Sequence, residues 1–320
     1  MMSSVHHDNK SLAILCAFTA VGISSGSDAF IKWMSGSYPA HQLLFIRCLV
    51  GIPILAAIVH RQATFAALLA PGWQLSLLRG AIMSTAYLAY IMAIAAMPMA
   101  DVVAIYFAMP LIVALLAGPL LGEHVRLHRW LAIIGGLIGV IVMIDPGHGV
   151  FEPAALLALY SAFSYALGQS LARRIAKTVP PAIMAFHSNA VYFAVAIVLA
   201  VVFALLDLQG IEQKSLAFLV RPWLWPAPLD LAAIAFTGTT VAFAMVLFST
   251  AYKYAESSFI APFEYTGMLW AAALGFIVFG DVPGLKTIAG GMIVLAAGLF
   301  MVWMDQRSTR NISEPKQSAA

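Results

Sequence analysis

Long apolar stretches fill this chain from end to end, and they constrain its fold more than any other feature. A bilayer core about 30 Å thick takes about 20 apolar residues in a helix rising 1.5 Å per residue. Ten segments come close to that length: Ser11–Ile31, Ala40–Val59, Trp73–Met97, Asp101–Leu121, Arg129–Ile144, Pro153–Ala172, Pro181–Leu206, Pro228–Thr250, Ser257–Phe279 and Gly284–Trp303. Most joints carry helix breakers or charge, as at Tyr38-Pro39, Pro71-Gly72, Gly122-Glu123, Asp145-Pro146-Gly147 and Pro180-Pro181. Pro98-Met99-Ala100 is the shortest joint, and Asp207–Ala227 is the one sizeable loop. Composition agrees: 62% of the 320 residues are hydrophobic and 10% are charged, against roughly 45–50% and about 25% in soluble domains. A globule of this size needs a polar skin that these residues cannot supply. The expected fold class is an all-α integral membrane protein of ten transmembrane helices, with no soluble domain.

Lys and Arg gather on the cytoplasmic side of membrane proteins. With the N-terminus inside, twelve of the seventeen fall on the inner side, among them Arg61, Arg79, Arg126, Arg129, Arg173, Arg174 and Lys253. Lys32, Lys214, Arg221 and Lys286 fall outside, and Arg47 lies within a span. The expected location is a bacterial plasma (inner) membrane, with both termini cytoplasmic. Leu12–Ile23 reads as a retained first span rather than a cleaved signal. Trp223 and Trp225 sit at an outer boundary, where amphipathic rings favour the headgroup layer. A net charge of +3 with no basic–aromatic cluster argues against nucleic-acid binding. Cys16, Cys48 and the His6-His7 pair make no metal or disulfide pattern, and no cofactor motif occurs.

The chain resembles itself. Ala100-Asp101, Pro110, Gly122-Glu123 and Gly135-Gly136 follow one another in the first half; Ala255-Glu256, Gly280-Asp281 and Gly290-Gly291 follow in the second. The outer landmarks are offset by 155 residues and the middle one by 158. Five spans per copy is an odd number, so the second copy enters the membrane from the opposite side. Such inverted repeats can open a midplane cavity to each side in turn. The expected organisation is a tail over 1–10, repeats over 11–150 and 151–304, and a tail over 305–320. Glycines four apart, at Gly22/Gly26, Gly118/Gly122 and Gly135/Gly139, let helix backbones approach closely.

Three stretches carry a family resemblance: Phe45-Ile46-Arg47; Pro110-Leu111 followed by Gly122-Glu123; and Ala261-Pro262-Phe263-Glu264-Tyr265-Thr266-Gly267-Met268-Leu269-Trp270 leading into Gly280-Asp281. On these the chain resembles ten-helix, EamA-type members of the drug/metabolite transporter superfamily, from about Ser11 to Trp303. The resemblance implies a plasma-membrane secondary carrier with a central cavity, moving amino acids, nucleotide-like metabolites, vitamins or drugs.

Charge inside lipid points to function, because a charged group at mid-membrane costs about 2.5–3.5 kcal/mol unless it is paired, wet or neutral. Arg47 and Glu264 stand out, each roughly 11–12 Å from its nearer face at 1.5 Å per residue. Arg47 reads as a structural lock or a cavity charge. Glu264 reads as a cavity residue and a candidate for proton coupling, with His187 as a weaker candidate. Near the same depth lie Tyr265, Trp270, Tyr87, Tyr90, Tyr106, Ser161, Ser164, Tyr165, Asn189, Thr237, Thr239 and Thr240. Together they suggest a cavity that stacks on a planar or apolar substrate and hydrogen-bonds its polar head. Asp28 and Asp101, near outer helix ends, read as rim or cap residues.

Export of amino-acid-like or aromatic compounds is the leading functional reading. Import of a vitamin or nucleotide-like metabolite is the alternative. An intramembrane enzyme is disfavoured: Asp281 is preceded by Val278-Phe279-Gly280 rather than Gly-x-Gly, and neither a His-Glu-x-x-His motif nor a phosphate-binding Gly-Lys-Ser/Thr loop occurs. The expected partners are a small-molecule substrate and the bilayer.

Overall fold

A computed structural model of the chain describes residues 10–62, 65–122, 126–144, 152–176, 178–206, 208, 211–254, 260 and 263–313. The tail 1–9 with His6-His7, Glu123, Asp145-Pro146-Gly147, Lys177, Asp207, Ala255-Glu256, Ser257, Ala261-Pro262 and Lys316 lie outside the described residues.

Those residues form α1 (Lys10–Met34), α2 (Ala40–Gln62), α3 (Trp73–Ala96), α4 (Met99–Tyr106), α5 (Met109–Leu121), α6 (Leu127–Ile144) and α7 (Ala154–Ile175). The chain continues with α8 (Pro181–Leu206), α9 (Lys214–Val220), α10 (Pro228–Tyr254), α11 (Thr266–Phe279) and α12 (Leu285–Ser313). Among the described residues eight spans are long and apolar enough to cross a membrane, with α4 and α5 counted as one. Helix α11 is a shorter apolar helix, and α10 runs for 27 residues.

Two elements depart from the sequence reading. The segment Asp101–Leu121 is not one helix but breaks at Phe107–Ala108. Pro110 has no N–H to offer the Tyr106 carbonyl, so the i→i−4 ladder lapses there and restarts with Leu111 N–H to Ala108 O at 3.0 Å. The loop Asp207–Ala227 contains α9. Its Phe218 is buried, and Ser215 Oγ donates to Met92 O at 3.0 Å, which docks the helix on the end of α3.

The two halves repeat each other in detail. Gly122 (φ 70°, ψ 17°) caps α5, and Gly280 (φ 70°, ψ 13°) caps α11. Both are left-handed, a conformation glycine adopts without a Cβ penalty. Each amide closes the last turn through equivalent carbonyls: Ala117 and Gly118 for one, Gly275 and Phe276 for the other. The caps are 158 residues apart, as are the first residues of α6 and α12. Gly135-Gly136 and Gly290-Gly291 are therefore not equivalent positions. Instead Gly139 and Gly290 face each other across the α6–α12 seam. A Cβ on Gly139 would fall 2.7 Å from Gly290 O, and one on Gly290 would fall 2.5 Å from Gly139 O, so the close approach requires glycine at both.

Packing follows the same exchange. Helix α3 lies on α7 as α1 lies on α10, while α2 meets α8 and α6 meets α12. Exchanging the halves maps each of these pairs onto a pair in the set. The core thus runs along seams between the halves.

The helix ends define two faces. At one, here the tied face, polar links cross between elements. Lys32 Nζ reaches Asp281 Oδ2 at 2.7 Å and Met97 O at 2.8 Å, and Tyr38 Oη donates to Asp230 Oδ2 at 2.6 Å. Gln42 pairs with the Leu224 backbone through both amide atoms, at 2.5 Å and 3.3 Å, and Arg221 donates to Ser35 O at 2.9 Å. At the other face, which carries the start of α1, Arg129 and His128 hold Asp305 at 3.0 Å and 2.8 Å. That joins the start of α6 to the far end of α12.

Candidate functional site

Helical spacing builds a polar-lined space inside the bundle. On α3, Arg79, Met83 and Tyr87 recur every four residues and so form one stripe. Met184, Ser188 and Tyr192 do the same on α8, while Tyr165, Gln169 and Ala172, four and then three apart, share one face of α7. With Arg47, Cys48 and Gly51 of α2 and Gly238 of α10, these stripes enclose a cavity of about 530 Å³. That volume lies within the range of small-molecule sites. Two close approaches shape its wall. A Cβ on Gly238 would fall 2.8 Å from Arg47 O, and one on Gly51 would fall 3.1 Å from Asn189 Oδ1. The cavity extends to Ala172 and Pro181, at the ends of α7 and α8 on the face opposite the tied one.

Aromatic contacts run through and behind this space. Arg47 Nη1 donates to Tyr87 Oη, and the guanidinium lies 5.1 Å from that ring's centroid. Tyr87 stacks on Tyr192 at 5.8 Å. One turn along α3, Tyr90 donates to Asp28 Oδ2 at 3.0 Å and packs on Tyr106 at 5.0 Å. Tyr106 in turn meets Tyr165 edge-on at 5.7 Å, and Gln169 Nε2 donates to Tyr165 Oη at 2.9 Å. Asp28, read from sequence as a rim residue, is thus bonded inside the bundle. Arg79 is anchored from both sides: its Nε donates to Gly168 O at 3.1 Å and its Nη1 to Ser188 Oγ at 3.0 Å.

Glu264 and Tyr265 lie elsewhere. They line a second cavity of about 430 Å³ with Phe107, Pro110, Arg129, Arg173, Met301 and Asp305. Among the described residues none lines both spaces. Arg47 and Glu264, matched in depth by the sequence, therefore do not share a cavity. Tyr265 is buried against Phe107 at 5.1 Å, and its hydroxyl occupies the room left by Gly298. Phe107 and Tyr265 are the helix-break positions of the two halves, and they meet ring to ring. Among the described residues the Tyr265 hydroxyl has no hydrogen-bond partner.

The remaining candidates lie outside both cavities. Trp270 packs on Phe18 at 5.2 Å and against Gly22. Ser161 and Ser164 are buried in α7, and Thr237, Thr239 and Thr240 each donate to a carbonyl of their own helix. His187 Nδ1 lies 3.0 Å from Ser76 Oγ, a tie between α8 and α3. Asp101 stands near the Lys32–Asp281 pair at the tied face. Sequence reasoning missed Arg79, Gln169 and Tyr192 as cavity residues. The four-residue stripe from Tyr87 back to Arg79 was the available signal. Among the described residues no cluster of side chains suits a metal ion.

Two related helical halves around a polar, aromatic pocket are the build of a small-molecule membrane carrier. The chain belongs to the EamA-like transporter family, whose model matches residues 11–145 and again 152–303. It is similar to an S-adenosylmethionine uptake transporter of Rickettsia bellii, at 22% identity over 89% of this chain and 91% of that protein. It is similar also to the pseudopaline exporter CntI of Pseudomonas aeruginosa, at 27% identity over 89% of this chain and 93% of that protein. A solved crystal structure shares the fold, with a TM-score of 0.62 at 19% identity over 92% of this chain and 99% of that one.

Proposed function

We propose that this protein is a secondary carrier that exports amino-acid-like or aromatic compounds across the bacterial inner membrane by alternating access. The observation that carries this reading is the 530 Å³ cavity, which presents tyrosine rings and two guanidinium groups at the seam between the halves. Rings of that kind stack on planar cargo, and the polar groups orient its head. The repeats, taken as 11–150 and 151–304, supply the two bodies that rock against each other.

The positive-inside rule places the face that carries Arg61, Arg173 and Arg174 in the cytoplasm, with both termini. The tied face is then external. The cavity runs to Ala172 and Pro181 while the Lys32–Asp281 and Gln42–Leu224 links cross the far side. The conformation is inward-open on this reading. Glu264, in its own cavity with Arg129, Arg173 and Asp305, is the candidate proton carrier.

The relatives' names point in both directions, uptake in one case and export in the other. Import is the second reading, favoured by the S-adenosylmethionine transporters that match most of this chain. Right-side-out and inside-out vesicles incubated in labelled phenylalanine or S-adenosylmethionine decide between them. Export requires energised accumulation of the former in inside-out vesicles.

A further inference from the structure

The large cavity carries two cationic groups. Arg47 sits beside Tyr87, and Arg79 sits two turns along the same α3 stripe toward the open face. Among the cavity's described lining residues there is no Asp or Glu to balance them. Two carboxylates act from outside this space, Asp28 on Arg47 as well as on the neighbouring tyrosines. Asp28 is taken up by Tyr90, and Glu264 lines the second cavity while interacting electrostatically with Tyr106 and Tyr165. Neither guanidinium is spent: Arg79 uses Nε and Nη1 on Gly168 and Ser188, and Arg47 uses Nη1 on Tyr87. Each keeps further N–H groups. A cleft lined by one sign of charge with apolar walls concentrates the opposite charge, and guanidinium groups match carboxylates in geometry.

We infer that the cargo is recognised through a carboxylate and binds best as a net organic anion: Arg79 receives it near the open face, and Arg47 holds it at depth while its ring lies among Tyr87, Tyr165 and Tyr192. This rests on the carrier reading and narrows its substrate class to aromatic carboxylates. Among the described lining residues no acid stands ready to pair with an ammonium group, so an added positive charge weakens binding.

Three probes share one ring and differ in charge: phenylpyruvate (−1), phenylalanine (zwitterion) and phenethylamine (+1). Their binding to the purified full-length protein in detergent is read by thermal shift. The expected order is phenylpyruvate, then phenylalanine, then phenethylamine. Arg47→Gln or Arg79→Gln weakens phenylpyruvate by about tenfold or more, the loss of one charge-assisted contact, and flattens the order. Arg47→Lys keeps the order. The midpoint without probe reports folding, and if Arg47 variants do not fold, Arg79→Gln alone carries the test. Equal binding of all three, a preference for phenethylamine, no binding at millimolar concentration, or an unchanged order in a folded Arg→Gln variant overturns the inference. Binding is read without flux. The expected order in a protein that moves none of the probes supports the inference and contradicts only the carrier reading. Flux of phenethylamine without phenylpyruvate contradicts the anion preference and leaves the carrier reading intact.

Discussion

Arg47 and Tyr87 engage each other twice: the guanidinium donates to the phenol oxygen and also lies over the ring, 5.1 Å from its centroid. One turn along α3, Tyr90 holds Asp28 at 3.0 Å. Helix α3 thus presents two successive tyrosines to opposite charges, one on α2 and one on α1. Both charges stay inside the bundle because each has a phenol to bond, which offsets the cost of removing them from water. Tyr87→Phe should keep the ring contact and lose the hydrogen bond. The expected loss is about 1–2 kcal/mol of stability or cargo binding, measured by thermal shift with and without phenylpyruvate. An unchanged midpoint and affinity would show that the bond does not orient Arg47.

The seam between α6 and α12 depends on Gly139 and Gly290, each against the other's carbonyl. Gly139→Val would drive a branched side chain into backbone that cannot yield. We expect about 1–3 kcal/mol or more of destabilisation, read as a lowered melting midpoint in detergent. Gly122→Ala, by contrast, meets open space but strains a left-handed cap, at a cost of about 1 kcal/mol.

Lys32 spans the tied face between Asp281 and Met97 O, with Phe279 beneath it at 4.8 Å. Asp281→Asn removes the charge from one end. On the inward-open reading this frees the external side to part. A cysteine at Ala185, a cavity-lining position, in a background with Cys16 and Cys48 replaced by Ser, should lose labelling by an impermeant maleimide from the cytoplasmic side. It should gain labelling from outside. Equal labelling in both backgrounds would remove Lys32–Asp281 as a gate.

Glu264 lines its cavity with Arg129, Arg173 and Asp305. Glu264→Gln should impair transport by about tenfold or more if the carboxylate carries the coupling proton, with circular dichroism and the melting midpoint unchanged. Wild-type rates at every pH would dismiss the coupling role.

The fold was legible because lipid imposes one rule, a closed backbone in apolar helices, and that rule is written as apolar length between breakers. The equivalence of Gly122 and Gly280 was legible too, since left-handed caps demand glycine. The break at Phe107–Ala108 was hidden by the apolar length rule, which counts residues and ignores the donor that Pro110 lacks. The site was legible only in outline. Arg47, Tyr87 and Tyr165 came from scanning for polar groups at mid-depth, and all three line one cavity. Depth says nothing of azimuth, so Glu264 was matched to Arg47 although the two face different spaces. Arg79 was missed for the complementary reason: its place near the start of α3 counted it with the inner loops, while its stripe with Met83 and Tyr87 turns it into the cavity.

Counterflow in proteoliposomes tests the central claim most directly. Vesicles holding the purified protein are loaded with unlabelled phenylpyruvate, phenylalanine or S-adenosylmethionine, then diluted into the labelled compound. An alternating-access carrier with this cavity gives a transient overshoot of label for at least one of them, abolished by Arg47→Gln. Label that never exceeds the level of protein-free vesicles for any of the three would contradict the account.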